Sequence, residues 1–475
     1  MQLGWAADYA PASAAGVSIP GAASLAAGPT ERSGAILHLP PDTDDFTGRA
    51  EHVDMAVRII SATAHRFDSS VRIASISGKP GVGKTTLAIH VAHMARGAFP
   101  DGQIYANLHG AESRAADPSD VLAGFLRELG VDGADIPEGI DERARMYRAQ
   151  LARRRVLVVL DNAADESQVR PLLPGSRGCA VLITSRTRMA TLAGAHSIPL
   201  DVMSSTQAAD LLTAIIGSER ASAELEALAE IARHCGYLPL ALRIAGARLL
   251  SRPAWQISWF AARLRNERRR LDMLRAGDLE VRASFALSYR SRDAAEQRAF
   301  RMLGLINCDF PAWNLAVLLS EDLDHAEQLL EQLVDAELAE IIGVDAAGLI
   351  RYRLHDLLRD FAREAINDSE RSEVRQEVLC RLARQYADSA QLASALLHPG
   401  DTYTDTVSPL AENIIRDDPW LWFTSERANL VAMVEQTHAA GLWEETWLAV
   451  TEMVRAMTRT SPCVPTGPSV PRFAS

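Results

Sequence analysis

The stretch VRIASISGKPGVGKTTLAIH (71–90) decides the fold. VRIASIS (71–77) is a short apolar run with β-branched residues, which predicts a buried strand. The residues from 84 to 97 predict a helix. Between them, GKPGVGKTT (78–86) fits G-x-x-x-x-G-K-[ST], and a strand before and a helix after are the context this phosphate-binding loop requires. The residue types follow from the chemistry. Gly78, Gly81 and Gly83 let the backbone turn so that successive N–H groups face phosphate oxygens. The helix beyond contributes the positive end of its dipole. Lys84 supplies a compact charge on a flexible stem, for which the planar fork of arginine is a poor substitute. Thr85 offers a hydroxyl to Mg²⁺. Gly78, Pro80, Gly81, Val82, Gly83, Lys84, Thr85 and Thr86 are therefore the expected phosphate contacts.

The composition sharpens this reading. Of 49 basic residues only Lys79 and Lys84 are lysines, and both lie in this loop. Lys79 is expected to be a solvated loop charge, with a phosphate-facing role as the alternative. The 475 residues suggest roughly two to four domains, and 48% hydrophobic with 23% charged residues is ordinary for a globular protein. A net charge of −12 excludes nucleic-acid binding by bulk electrostatics. Five widely spaced cysteines form no C-x-x-C pair, which argues for a reducing cytosol and against a disulfide framework or structural zinc. No apolar run is long enough for a transmembrane helix, and a cytoplasmic location is expected.

Outward from the loop, strands and helices alternate. GQIYANL (102–108), RVLVVLD (155–161), CAVLITS (179–185) and a short HSIPL (196–200) read as further strands, with helices near 118–129 and 141–153. Apolar runs separated by amphipathic helices predict an α/β fold with a parallel sheet covered on both faces. From about 204 the pattern is helical only. Between 325 and 367 a helix, two strands (AEII and LIRYRL) joined through Gly343 and Gly348, and another helix suggest a winged-helix module. Residues 424–457 read as two helices broken at AAG (439–441). The expected organisation is a loose N-terminal segment (1–40), a P-loop α/β domain (41–202), a helical subdomain (203–277), a winged-helix module (278–366), a further helical segment (367–458) and a Pro-rich tail (459–475). Residues 1–35 carry no basic residue before Arg32, and Gly and Pro interrupt any apolar core, so disorder is expected there rather than a signal peptide.

Two more positions carry chemistry. Asp161 ends an apolar strand, where a carboxylate can hold Mg²⁺ through water; as an alternative it caps the segment after it. Asn162 follows where vigorous ATPases usually have an acid, so hydrolysis is expected to be slow unless Asp165 or Glu166 substitutes. Arg186, in LITSR, lies at the sheet end where ligands bind and can report on a γ-phosphate; a surface arginine is the alternative.

The ordered motifs DFTGR (45–49), GKPGVGKTT, VLVVLDN, LITSR, GYLPLAL (236–242) and RLHD (353–356) resemble the NB-ARC class of STAND nucleotide-binding switches, and among them the actinobacterial transcriptional regulators of the antibiotic-production (SARP-like) type. The resemblance covers about residues 40 to 365. It implies that Phe46, Gly48 and Arg49 lie against adenine and ribose, and that Pro239 packs on the adenine while starting a helix. It also implies that His355 contacts the ADP β-phosphate from the winged helix and holds a closed state, a capping or core histidine being the alternative. Leu354 and Tyr237 are mild departures. The family usually adds an N-terminal DNA-binding module and long helical repeats. Here about one hairpin resembles a first tetratricopeptide unit, so the chain looks like the switch core of a longer design.

The expectation is an ADP/ATP-binding, Mg²⁺-dependent switch in signal transduction or transcriptional regulation, closed with ADP and released by ATP. A turning-over ATPase or small-molecule kinase, and a DNA-binding regulator using the winged helix, are the alternatives. Residues 320–340 hold eight acidic residues and no Lys or Arg, which argues against direct DNA binding. The basic run RLRNERRRLDMLR (263–275) reads as a solvated helix face. Partners are expected to be nucleotide and a protein, or a second copy, at the C-terminal helices.

Overall fold

The computed structural model describes residues 36–61, 71–111, 115–397, 409–415 and 418–444. Six parallel strands form the sheet: β1 (Ile36–Leu37), β2 (Arg72–Ser77), β3 (Gly102–Asn107), β4 (Val156–Ala163), β5 (Ala180–Ser185) and β6 (Ala195–Pro199), in the order β1-β3-β4-β5-β2-β6. The period of two along each strand divides the apolar side chains between two cores. Ala74, Ile76, Leu157, Val159 and Leu182 face helices α1 (Ala50–Ser61) and α2 (Lys84–Met94). Ile73, Ile104, Val158, Leu160 and Val181 face α3 (Pro118–Glu128) and α4 (Ile140–Leu151). A short α5 (Glu166–Val169) follows β4.

The first of these cores continues into the helices α6 (Ser205–Ile216), α7 (Ser218–Ala223), α8 (Leu225–His234), α9 (Pro239–Leu250), α10 (Ile257–Leu264) and α11 (Glu267–Met273). A small ladder, β7 (Arg275–Ala276) with β8 (Leu279–Glu280), leads to α12 (Val281–Arg290). The winged helix is α13 (Ala294–Leu303), β9 (Phe310–Pro311), α14 (Ala312–Leu319), α15 (Leu323–Asp335) and the hairpin β10 (Glu340–Val344) with β11 (Ile350–Arg353). Its three strands are antiparallel in the order β10-β11-β9. Helices α16 (Asp356–Ser369), α17 (Ser372–Leu397), α18 (Pro409–Ile415) and α19 (Pro419–Ala439) close the described chain, α17 packing between α14 and α19.

The strands that the sequence missed, β1, β7, β8 and β9, are each two residues long, too short for a period to register. So residues 36 and 37 belong to the sheet rather than to a loose segment, and the region after 204 is not helical only. The helix expected from 424 begins at Pro419, behind the N-cap of Asp418, whose carboxylate accepts from the Trp420 and Leu421 amides. It breaks at the expected AAG, with Gly441 in the left-handed region. The second helix of that hairpin beyond residue 444, the Pro-rich tail and residues 1–35 lie outside the described residues. The basic run is not simply a solvated face. Arg270 is buried and its Nη1 donates to Asp360 of α16 at 2.8 Å. Among the described residues no helix is long and apolar enough to cross a membrane, and Cys179, Cys235, Cys308 and Cys380 form no disulfide.

Candidate nucleotide-binding site

The loop after β2 opens at the carboxyl end of the sheet, where parallel strands present their ligand-binding edge. Gly78 sits at φ 153°, and a Cβ there would stand 2.2 Å from the Leu200 carbonyl oxygen, so no side chain fits. Gly83 precedes α2 in the left-handed region at φ 93° with open space around it, so conformation alone requires glycine. The Leu240 amide at the start of α9 donates to the Gly81 carbonyl at 3.1 Å, which fastens the GYLPLAL segment onto the loop.

Lys84 folds back, its Nζ donating to the carbonyls of Gly78 (2.5 Å) and Lys79 (2.9 Å). Burial and the neighbouring Arg186 cation lower its ammonium to about 7. Asp161 receives three hydroxyls. Thr85 Oγ1 (2.7 Å) and Thr184 Oγ1 (2.5 Å) donate to Oδ1, and Tyr105 donates to Oδ2 at 3.1 Å. Burial and that same carboxylate push the Tyr105 phenol well up, so it remains a donor. Thr85 and Asp161 thus set two hard oxygen donors side by side, the chemistry that suits Mg²⁺.

These groups line a cavity of about 560 Å³, within the range of small-molecule sites. Around its phosphate end stand Pro80, Gly81, Val82, Gly83, Lys84, Thr85, Thr86, Asp161 and Arg186; Phe46, Arg49 and Pro239 line it as well. Phe46 stacks on His90 of α2, ring centroids 4.0 Å apart. Arg49 is buried, at φ 65°, and its guanidinium donates to the carbonyls of Asp201 and Val202. Pro239 is the first residue of α9. Gly48 and Gly78 do not line the cavity. Neither does His355: its Nδ1 accepts from the Leu357 amide, so Nε2 carries the proton and donates to the Gly236 carbonyl at 2.8 Å. The ring caps α16 and ties it to the segment before Pro239.

Asp165 and Glu166 are engaged elsewhere. Asp165 caps α5 and accepts from Ser167, which holds it below the usual carboxylate range, and Glu166 accepts from the Thr191 amide at 3.0 Å. Asp45 and Asp161 are the carboxylates that line the cavity among the described residues, and Asp45 is paired with both guanidinium nitrogens of Arg243 at 2.7 and 3.0 Å.

Several lining residues lie outside the quoted motifs, namely Tyr105, Asn107, Arg243 and Ser284, and Thr184 lies within LITSR without an expected role of its own. Asn107 is in register with Asp161 across β3 and β4, so the carboxyl end of every strand was the signal to follow. Arg243 lies one helical turn beyond Pro239, on the same face. Lys79 overturns the expectation of a solvated charge. It is 6% exposed, and its Nζ reaches Asp201 at 2.7 Å and Glu340 of β10 at 3.2 Å. Burial pulls this lysine down, but the two carboxylates outweigh it and leave it above its ordinary value.

Residues 54–221 match the NB-ARC domain family model. The chain is 46% identical to the regulatory protein AfsR of Streptomyces griseus over 413 residues, which is 85% of this chain and 41% of that protein. With AfsR of Streptomyces coelicolor it shares 44% over 437 residues, 88% of this chain and 43% of that one. It thus spans about two fifths of the length of these relatives. A STAND protein with a tetratricopeptide repeat sensor from Pyrococcus horikoshii is 18% identical, covering 87% of this chain and 59% of its own, at a TM-score of 0.32, a likeness too loose to argue from. The P-loop, the sheet around it and the family match lead to one conclusion: residues 54–221 of the chain carry an NB-ARC domain on a P-loop fold.

Proposed function

We propose that this chain is an ADP/ATP-operated switch, closed when ADP holds the winged helix near the nucleotide and released when ATP replaces it. The observation that carries the reading is the position of Arg186. It lines the cavity, yet its Nη1 donates to the Ser284 carbonyl (2.8 Å) and to Ser288 Oγ (2.7 Å) of α12. A γ-phosphate that recruits this guanidinium removes it from the next module. Full switching needs about 5.5 kcal/mol of difference between the two nucleotides' affinities for the two states, and the charge of one more phosphate acting on Arg186 and Lys84 is its natural source. Pro80 through Thr86 would cradle the phosphates. Thr85 and, through water, Asp161 would hold Mg²⁺, which would neutralise phosphate charge. Phe46, Arg49 and Pro239 would enclose the base and ribose, and His355 would stabilise the closed state through Gly236.

Hydrolysis is slow on this reading, because Asn162 cannot accept a proton and Asp165 and Glu166 are committed elsewhere. Direct DNA binding is disfavoured by the acidic α15 region. A protein partner or second copy would dock on the C-terminal helices, where Trp420 and Trp443 are exposed. The similarity to AfsR supports a regulatory setting. The test is thermal unfolding with and without ADP and Mg²⁺. At a hundred times Kd the wild type should gain about 2.7 kcal/mol, and folded Lys84→Ala should gain nothing. No gain in the wild type overturns the reading, and turnover well above about 1 s⁻¹ would favour an enzyme instead.

A further inference from the structure

The winged helix meets the nucleotide domain through acids that face cations. Glu340, at the start of β10, reaches Lys79 at 3.2 Å. Glu337 is buried, in the left-handed region at φ 56°, and its Oε1 accepts from Arg188 Nε at 3.3 Å. It also acts electrostatically on Lys84, and burial pushes its own carboxyl up against the pull of Arg188, Lys79 and Lys84. Lys79 is bonded to Lys84 through its carbonyl, and Arg188 lies two residues beyond Arg186. Lys79 and Arg188, which neighbour the cavity-lining cations Lys84 and Arg186, are therefore paired with the wing's own carboxylates, and Glu337 acts on Lys84 through space.

We propose that Glu337 and Glu340 act as a built-in anion, so that wing closure and the terminal phosphate of a nucleoside triphosphate compete for one set of cations. The proposal rests on the switch reading above and specifies its regulation. Negative charge added at Lys84 and Arg186 repels Glu337 and weakens its hold on Arg188. With the wing withdrawn, Lys79 loses Glu340 but keeps Asp201, so opening strands no buried charge. A diphosphate ends one charged group short and leaves the wing in place.

This competition predicts nucleotide selectivity, which packing alone would not. Kd for ADP and for ATP, each with Mg²⁺, should be measured by calorimetry on the full chain, for wild type, Glu340→Gln, Glu337→Gln and the double variant. Hydrogen exchange of β10 and β11 follows the wing. The double variant should shift the ATP-over-ADP affinity ratio toward ATP about tenfold, as expected for losing charge-assisted contacts. Glu340→Gln, which leaves Lys79 its Asp201 partner, should fold and shift the ratio in the same direction by less. In both, β10 should exchange faster without nucleotide. An unchanged ratio in folded variants overturns the proposal, and so does equal weakening of both nucleotides, which is the mark of a structural role. If wild type binds neither nucleotide, the switch reading itself fails and this one falls with it; binding that Lys84→Ala abolishes, with an unchanged ratio in the glutamine variants, defeats the built-in anion alone.

Discussion

The wing has two attachments, and they are built differently. Toward the C-terminal helices, Arg351 of β11 donates from Nη2 to Glu426 of α19 at 2.6 Å, and Glu426 is fully buried. Tyr386 of α17 and Asn429 donate to the other oxygen of that carboxylate, and Asp345 accepts from Arg351 Nε at 2.7 Å. Toward the nucleotide domain, the contacts are Lys79–Glu340 and Arg188–Glu337, in which the Arg188 side chain is 51% exposed and that of Glu340 28%. A buried, fully partnered network loses several kcal/mol when one member goes, whereas each pair on the nucleotide side has one partly exposed member, Glu340 or Arg188, that can exchange its partner for water at lower cost. The contrast teaches which surface is meant to part. On the proposed switch reading, the wing and helices α17 and α19 would move as one body, with the seam against the P-loop.

The largest effect that tests this contrast comes from the buried side. Glu426→Ala should cost about 3–5 kcal/mol in urea unfolding, because it removes the buried acceptor shared by Arg351, Tyr386 and Asn429 and leaves Arg351 with Asp345 alone. A loss below about 1 kcal/mol would place the seam on the wrong side of the wing. A smaller effect comes from His355. Replacing it with Ala removes a cap and the bond to Gly236, and should cost about 1–2 kcal/mol. Burial lowers the pKa of His355 in the folded protein, so below about pH 6.5 the unfolded chain binds a proton that the native chain resists. Its contribution to stability is thus complete above that pH and declines as pH falls. His355→Asn keeps an acceptor for the Leu357 amide without titrating. The stability of wild type relative to that variant should therefore fall below pH 6.5 and stay level above it.

The sequence exposed those parts of the molecule whose geometry is local. The phosphate cradle was legible because nine consecutive residues specify it, and the sheet because five of its strands carry apolar runs of their own. The wing seam was not legible. Lys79 and Asp201 are 122 residues apart and Arg270 and Asp360 are 90 apart, so nothing near either cation announces its burial. Charges in a loop or on a helix face read as solvated unless a distant partner is known. Tyr105 and Thr184 were missed for a related reason. They act on Asp161 from the two neighbouring strands, and only the strand order brings them together.

The scarcity of lysine gives the site a chemical handle. An amine acylates only as the free base, and Lys84, lowered to about 7, is about half in that form at pH 7, while Lys79, raised above its ordinary value and 6% exposed, is almost wholly protonated. With only these two lysines in 475 residues, a limiting amount of an amine-selective acylating reagent at pH 7 should modify Lys84 ahead of Lys79. Intact-mass and peptide analysis would show the order, and bound ADP should abolish the reaction at Lys84. Its reactivity then becomes a direct gauge of site occupancy, readable without any nucleotide label.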